Sequence, residues 1–221
     1  MTARSSLVAG FEITAGWQSV RSLETKELFM LTQLSTVKTR LNITDTSFDA
    51  LLTNVIAGFS ERFDRECNRK FARQVNAIEE FAADGIEICP VCWPIESVAA
   101  FDLKTNENDG WQPISPPPDY LIRNSCVISL ECATGSRFQQ ARVTYTGGYV
   151  LPGTTPDAGQ TPLPADIEQA CVEQVVYWYQ NRTTLGQLTS TVGSGSHLVQ
   201  SDLLPGVAAV LQKYTRISFD E

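Results

Sequence analysis

The feature that most constrains the fold is a long amphipathic segment between residues 46 and 72. Its apolar side chains recur at steps of three and four, which places them on one stripe of a helix. They are Phe48, Leu51, Leu52, Val55, Ile56, Phe59, Phe63, Cys67 and Phe71. The pattern predicts one helix over 46–72, started by a capping box of Thr46 and Asp49. The stripe requires burial, against other helices of the chain or partly against a neighbouring subunit.

The composition indicates an acidic, soluble protein with a real core. The chain has 221 residues, of which 43% are apolar, enough for one domain or two small ones. With 17 basic and 25 acidic residues the net charge is -8, which is poorly suited to gripping phosphates. No apolar run reaches about 18 residues and no leader is evident, so neither a membrane span nor a signal peptide is predicted. The six cysteines are expected to be reduced.

The first part of the chain divides into an arm and a helical region. Residues 1–30 show no long period and are interpreted as an N-terminal arm that orders on a partner, with a floppy terminus or an extra strand as alternatives. Residues 31–75 form the first part of a helical core. There Thr32 is expected to cap a short helix to about Arg40, followed by a turn over 42–45.

Residues 76–150 change from a helical to an alternating pattern and are interpreted as a β insert. Six short runs rich in branched and aromatic residues, separated by turn formers, predict strands. They are Ile78–Phe81, Ile86–Ile88, Ser97–Leu103, Tyr120–Ile122, Val127–Leu130 and Ala141–Tyr145. Gly147 and Gly148 allow a sharp turn out of the last strand. The chain is thus predicted to be α+β, with an α-helical core carrying an inserted small antiparallel β-sheet or sandwich.

The last part of the chain contains two further helices. Residues 163–183 form the second part of the helical core, with Pro164 at the first position of a helix that ends at about Asn181. Residues 184–201 are rich in Gly, Ser and Thr and are interpreted as a flexible linker. Residues 202–221 form a C-terminal segment, whose helix is expected to be capped by Ser201. Its apolar residues suit docking to another protein, or packing back on the chain's own domain: Leu203, Leu204, Val207, Val210, Leu211, Tyr214, Ile217 and Phe219.

Candidate catalytic and metal-binding residues are few, and neither catalysis nor a cofactor is predicted. The single histidine, His197, lies in the Gly/Ser-rich stretch, a poor place for a general base. Cys89 and Cys92 have the CxxC spacing, but they do not open a helix in a βαβ unit. With Cys126 and Cys132 on neighbouring predicted strands they offer four ligands for a structural zinc, which is the less favoured alternative to buried thiols.

Three stretches in this order resemble the head-tail connector (adaptor) proteins of tailed phages. In residues 31–71 a short VKxxLxI helix precedes an acidic turn and a long helix that ends in CxRxF. The fitting residues are Val37, Lys38, Leu41, Ile43, Asp45, Leu51, Leu52, Ile56, Cys67, Arg69 and Phe71. VTYTGGY at 143–149 resembles the family's closing strand, and LPADIEQACVEQVVYWYQNR at 163–182 resembles its second long helix. The resemblance covers about residues 31–182 and leaves the arm outside it.

The resemblance implies a structural protein of the virion, assembled in the cytoplasm of the host bacterium. Copies would form a ring of twelve under the portal protein, extend the DNA channel and meet a downstream neck or tail-completion protein, while an isolated chain stays monomeric. DNA would pass without specific binding, and no membrane is involved. The stripe from Leu203 to Phe219 is then expected to dock on the portal. Rim residues of the long helix are expected to serve the subunit interface: Arg62, Arg65, Glu66 and Arg69.

Two other functions compete with this interpretation. A neck or tail-completion protein one position further down the same assembly would differ in its partners. A cytosolic thiol or zinc-binding module built on CPVC would bind metal or have thiols with a low pKa, whereas a connector would tolerate serine at Cys89 and Cys92.

Overall fold

The computed structural model describes residues 29–185, 188–191, 195–198 and 202–216. The predicted N-terminal arm therefore lies almost wholly outside the described residues. The helices are α1 (Leu34–Leu41), α2 (Asp49–Glu66), α3 (Ala165–Asn181) and α4 (Pro205–Gln212). The strands are β1 (Gln74–Ala82), β2 (Glu87–Ile88), β3 (Ile95–Lys104), β4 (Gln112–Pro113), β5 (Tyr120–Arg123), β6 (Val127–Leu130), β7 (Gln140–Gly147), β8 (Tyr149–Val150), β9 (Thr161–Pro162), β10 (Leu188–Thr191) and β11 (Gly195–Leu198). The predicted α+β class is confirmed.

The helical core surrounds α2, as its apolar stripe requires. Leu52, Ile56 and Phe63 of α2 are fully buried. They belong to one apolar cluster with Val37 of α1 and with buried residues of α3 and α4. The α3 members are Ile167, Ala170, Cys171, Val172 and Val175. The stripe is thus buried within the chain's own helices along most of its length.

The predicted N-terminal caps of α1 and α2 are wrong. Thr32 is buried at 1% exposure, and its hydroxyl donates to Glu168 of α3 over 3.4 Å instead of capping α1. Phe48 occupies the N-cap of α2 without a side-chain cap, and Asp49 pairs with Lys38 of α1 at 2.6 Å. A long-range partner for each side chain has replaced the local one. The predicted turn after α1 is confirmed, since Asn42 ends that helix in the left-handed conformation with φ 56°.

Helix α2 is shorter than predicted and ends at Glu66. Asn68 adopts φ 49°, and the Arg69 amide donates to the Asp64 carbonyl over 3.0 Å, which closes the helix one turn before Phe71. Phe71 nevertheless remains fully buried in the helical core. The apolar period therefore predicted the burial of Phe71 correctly, but it wrongly placed this residue in the helix.

The β insert is a small sandwich, and its six predicted strands are confirmed. One sheet has four strands in the order β1-β7-β3-β4, and the other has three in the order β2-β6-β5. All pairings within these two sheets are antiparallel. Phe101, Val143 and Tyr145 of the first sheet and Ile88 and Ile128 of the second share one buried cluster, so the sheets pack face to face.

A glycine turn joins the sandwich to the helices. Gly148 adopts φ +101°, and a Cβ there would lie 2.7 Å from the Ala72 carbonyl oxygen, so only glycine fits. Directly after it, the Tyr149 amide donates to the Phe71 carbonyl over 2.8 Å. The Arg73 amide donates back to the Tyr149 carbonyl over 2.9 Å. The two chain segments that cross between core and insert are therefore bonded to each other.

The C-terminal third departs from its prediction at three boundaries. Pro164 is the N-cap of α3 rather than its first residue. Two short antiparallel strands, β10 and β11, lie within the segment interpreted as a linker, and His197 pairs with Thr189 there. Helix α4 begins at Pro205, where the fixed φ of proline suits the first turn. Ser201, its predicted cap, lies outside the described residues. Among the described helices, none has the length and apolar character needed to cross a membrane.

Candidate functional site

The predicted docking stripe is packed inside the chain's own helical core. Leu203, Val207 and Leu211 are buried at 9%, 1% and 3% exposure. Leu204, Val210 and Tyr214 are half-buried against the same cluster, while Ile217 and Phe219 lie outside the described residues. In this conformation the segment packs back on its own domain, as the alternative interpretation expected. Portal binding through the stripe stays a prediction, and it would require α4 to leave the core.

A buried polar side chain holds the entry to α4. Gln174 of α3 is 2% exposed, and its Oε1 accepts from the Leu204 amide over 2.9 Å. Its Nε2 donates to the Asp202 carbonyl over 3.5 Å. These bonds satisfy backbone groups at a helix start that has no side-chain cap of its own. The amide of Gln174 therefore fixes α4 on α3.

The other end of α4 is tied to both parts of the fold. The Tyr214 hydroxyl donates to Asp166 over 2.8 Å, and burial raises the pKa of Tyr214 to about 12. The Arg216 amide donates to the Cys67 carbonyl at the end of α2 over 2.8 Å. Its guanidinium pairs with Glu79 of β1, also at 2.8 Å. Residue 216 thus connects the helical core with the sandwich.

Three of the four subunit-interface candidates lie at the protein surface. Arg65 and Glu66 are exposed, and half-buried Arg62 pairs with Glu66 at 3.4 Å. Arg62 also pairs with Asp202, next to α4. Arg65 and Glu66 are thus the two candidates whose side chains are exposed to solvent. Their role between subunits stays a prediction.

The fourth candidate, Arg69, is buried at 2% exposure and is wrong as a surface residue. Because α2 ends before it, the side chain turns inward to the junction of core and sandwich. Its guanidinium carbon lies 3.2 Å from the ring centre of Trp93, 4.6 Å from that of Phe71 and 5.2 Å from that of Tyr149. Nη2 donates to the Trp93 carbonyl. Burial lowers the pKa of Arg69 to about 10, which leaves it charged at neutral pH.

The four cysteines proposed as zinc ligands are not brought together. Cys92 faces the sandwich interior and is fully buried, with Sγ 3.2 Å from Gln74 Oε1, whereas Cys132 is exposed. Among the described residues, no three His, Cys, Asp or Glu side chains are placed to hold a metal. Burial raises the pKa of Cys89, and raises that of Cys92 to about 11. A thiol redox pair requires the opposite shift.

The sequence reasoning missed a set of exposed apolar residues on the sandwich. Leu121 and Ile78 are 68% and 55% exposed, and Tyr120 and Ile122 are 39% and 37% exposed. Phe138, at a turn before β7, is 87% exposed. Residues 120–122 were assigned to a strand, but the sequence does not show that this strand lies at the edge of a sheet. Its run of three apolar residues without alternation was the available signal.

One segment near the start of the described fold matches a known family. Residues 31–89 match the phage gp6-like head-tail connector proteins. Over this range the chain is similar to the head-tail connector family. The matched range contains α1, α2, β1 and β2, including the turn at Asn68 that directs Arg69 inward. The resemblance drawn from VKxxLxI and CxRxF is thereby confirmed.

Solved structures of similar fold cover most of this chain. One is a chain of the neck of an empty gene transfer agent (GTA) particle computed with C6 symmetry. It is 14% identical, with a TM-score of 0.54 over 85% of this chain and 91% of that one. A second is a chain of the native GTA virion, 12% identical, with a TM-score of 0.50 over the same shares of both chains, 85% and 91%. At these identities the likeness shows the fold. No curated protein matches the chain significantly.

Proposed function

We propose that the protein is a structural head-tail connector of a tailed phage or a related particle. The observation that carries the proposal is the family match over residues 31–89, which includes the central helix of the core. The fold likeness to a chain of a particle neck supports it over a much longer range. In this function the chain acts by binding its neighbours in the virion.

We infer that copies form a ring beneath the portal protein, extend the DNA channel and present a surface to the next neck or tail protein. A net charge of -8 suits a channel wall, because an acidic surface repels DNA phosphates and lets the genome slide. Twelve copies in the virion, an isolated chain that is monomeric in dilute solution, and assembly in the host cytoplasm are parts of this proposal.

The competing functions are separated by partner and by thiol chemistry. A neck or tail-completion protein would bind the downstream face of a connector ring instead of the portal. A thiol module is disfavoured because burial raises the pKa of both CPVC thiols. A zinc module is disfavoured because, among the described residues, no three potential ligands are placed to hold a metal.

The test is co-sedimentation and electron microscopy of the full-length chain with portal rings from the same particle. A ring added to the portal supports the connector function. Binding only to a preassembled portal–connector complex supports the tail-completion protein, and binding to neither refutes both.

The docking segment is tested in the same assay without damaging the core. Truncation before α4 would remove the buried Leu203, Val207 and Leu211, so loss of binding would report unfolding. A chain ending at Arg216 keeps these contacts and lacks Ile217 and Phe219. If it no longer adds to the portal, residues 217–221 carry the docking contact. If it binds normally, that contact lies elsewhere.

A further inference from the structure

The sandwich leaves the backbone of β5 open along one side. The Glu131 amide donates to the Asp119 carbonyl over 3.0 Å, which sets the phase of the β5–β6 ladder. Alternate residues of an antiparallel strand bond to the same neighbour, so Leu121 bonds to β6 while Tyr120 and Ile122 point their N–H and C=O groups outward. Strand β5 is the last strand of its sheet, with β6 as its neighbour.

Strand β1 is open in the same way. The Ala83 amide donates to the Gln139 carbonyl over 3.2 Å, opposite partners in the β1–β7 register. Glu79 and Phe81 therefore bond to β7, whereas Ile78 and Glu80 direct their backbone groups to the free side. The remaining edges of the two sheets, β2 and β4, are each two residues long. Within the part of the chain that the structure describes, the sandwich thus has two substantial open edges.

These two edges lie on opposite sides of the sandwich. Strand β1 is an edge of the four-stranded sheet, and β2 is an edge of the three-stranded sheet. Because a tight turn at residues 83–86 connects these two strands, β2 lies over β1 in the sandwich. On the far side, the Tyr120 ring of β5 packs on Phe101 of β3 with 5.7 Å between centroids. Opposite placement is what a head-to-tail ring needs, since each copy must offer one surface to its left neighbour and another to its right.

The edges also match in chemistry. Leu121 at 68% exposure and Ile78 at 55% give each edge an apolar side chain that none of the described residues covers. Arg123, the last residue of β5, pairs with Glu87 of β2 at 3.3 Å and keeps 58% of its side chain exposed. An uncovered apolar edge strand promotes uncontrolled pairing unless a partner occupies it.

We propose that β5 of one copy pairs with β1 of the next copy, so that the sandwiches join edge to edge around the ring. The occupant of each edge is thus a second copy of this chain. The main-chain bonds give affinity, and the exposed apolar side chains on both edges favour their pairing. This inference rests on the proposed connector function, because it assumes a ring.

The sharpest perturbation is Ile122→Pro, compared with Ile122→Val. Proline removes one N–H, and that N–H has no bonding partner within the described chain, so the monomer keeps its internal ladder. Valine keeps the N–H and the branched shape. Circular dichroism and the urea midpoint of both variants are expected to equal those of the wild type.

The readout is hydrogen exchange of the full-length chain, followed by mass spectrometry of peptides spanning β5 and β1. It is measured in dilute solution and at about 1 mM, the effective concentration that a neighbour held in an assembly reaches. Wild type and Ile122→Val are expected to show at least tenfold slower exchange at both edges in the concentrated sample. Ile122→Pro is expected to exchange at the dilute rate at both concentrations.

Three results would overturn the proposal: unchanged exchange at both edges of the wild type, protection at one edge only, or equal protection in Ile122→Pro. The portal assay separates this failure from failure of the connector function. If Ile122→Pro adds a normal ring to the portal, the connector function is supported and edge pairing is refuted. If the edges are protected but the portal is not bound, edge pairing stands as self-association and the connector function falls.

Discussion

Substituting Leu211 with alanine tests whether α4 is part of the folded core in solution. Leu211 is 3% exposed and belongs to the same apolar cluster as Leu52 and Ile56 of α2. Buried Leu→Ala substitutions cost ~2–5 kcal/mol, the sum of lost transfer free energy and the cavity left behind. Because α4 has only 8 residues and can shift toward the gap, we expect the lower half of that range, ~2–3 kcal/mol.

The assay is urea unfolding followed by circular dichroism, with thermal unfolding beside it. A loss of ~2–3 kcal/mol corresponds to a Tm lower by roughly 4–12 °C for a chain of this size, with little change in the denaturant slope. The matched control is Gln212→Ala, one residue further along the helix and exposed, which is expected to stay within ~0.5 kcal/mol of the wild type.

One result would refute the packing of α4. If Leu211→Ala lowers the free energy of unfolding no more than Gln212→Ala does, then α4 does not pack on α3 in solution. The stripe would then be available to a partner, as the sequence first indicated. A large effect would mean that any portal contact through this stripe has to compete with the chain's own core.

Three further predictions concern single side chains. Near pH 8, an alkylating reagent is expected to modify exposed Cys132 and leave Cys92 unmodified, because the pKa of Cys92 is raised to about 11 and its thiolate fraction grows only as the pH approaches that value. Gln174→Leu is expected to lower the free energy of unfolding by ~1–3 kcal/mol in urea titrations, because the Leu204 amide loses its acceptor. Gly148→Ala is expected to cost ~1–3 kcal/mol or more in the same titrations, since alanine is strained at φ +101° and its Cβ would meet the backbone of residue 72.

Each of these predictions has a control on the same chain. For the thiols, equal labelling of Cys92 and Cys132 in the native protein would contradict the burial of Cys92. For Gln174, the control is Gln169→Leu on the exposed face of α3, and an equal effect would contradict the structural role of Gln174. For Gly148, the control is Gly58→Ala in α2, where a Cβ meets nothing within 4 Å and helix propensity favours alanine by ~0.5–1 kcal/mol.

Patterns of hydrophobic spacing were sufficient to predict the fold class and the longer helices and strands. The stripe of α2, the six strands of the insert and the helix after Pro164 follow from side-chain period alone, because burial on one face is the dominant constraint on each. The short strands β4, β8 and β9 were missed, since two residues are too few to show a period.

The failures share one physical cause, which is competition from distant partners. Thr32 and Asp49 look like caps in the sequence, but Glu168 and Lys38 compete for them across the fold. In the sequence pattern, Arg69 continues the charged face of α2. In the structure, the left-handed turn at Asn68 moves it among aromatic rings contributed by residues up to 80 positions away in sequence, a placement that local pattern cannot encode.

The candidate interaction residues were harder to predict than the fold. The C-terminal stripe was recognised as apolar, yet its amphipathic pattern is the same whether it meets a partner or the chain's own core. Conversely, the open edges of β1 and β5 depend on the order of the strands in each sheet. The hydrophobic period of a single strand does not reveal that order. Contacts between copies are therefore the part of the function least visible in sequence.

The position of α4 has a consequence for synthesis. Ribosomes add residues from the N-terminus at ~5–20 per second, and earlier segments begin to fold during that time. Here one layer of the helical core is supplied by Val207 and Leu211, which emerge from the ribosome after α1, α2 and α3. A nascent or prematurely terminated chain therefore exposes the apolar faces of α2 and α3. The helical core can bury these faces only after α4 has emerged, so its last layer forms after its other helices are already available to fold.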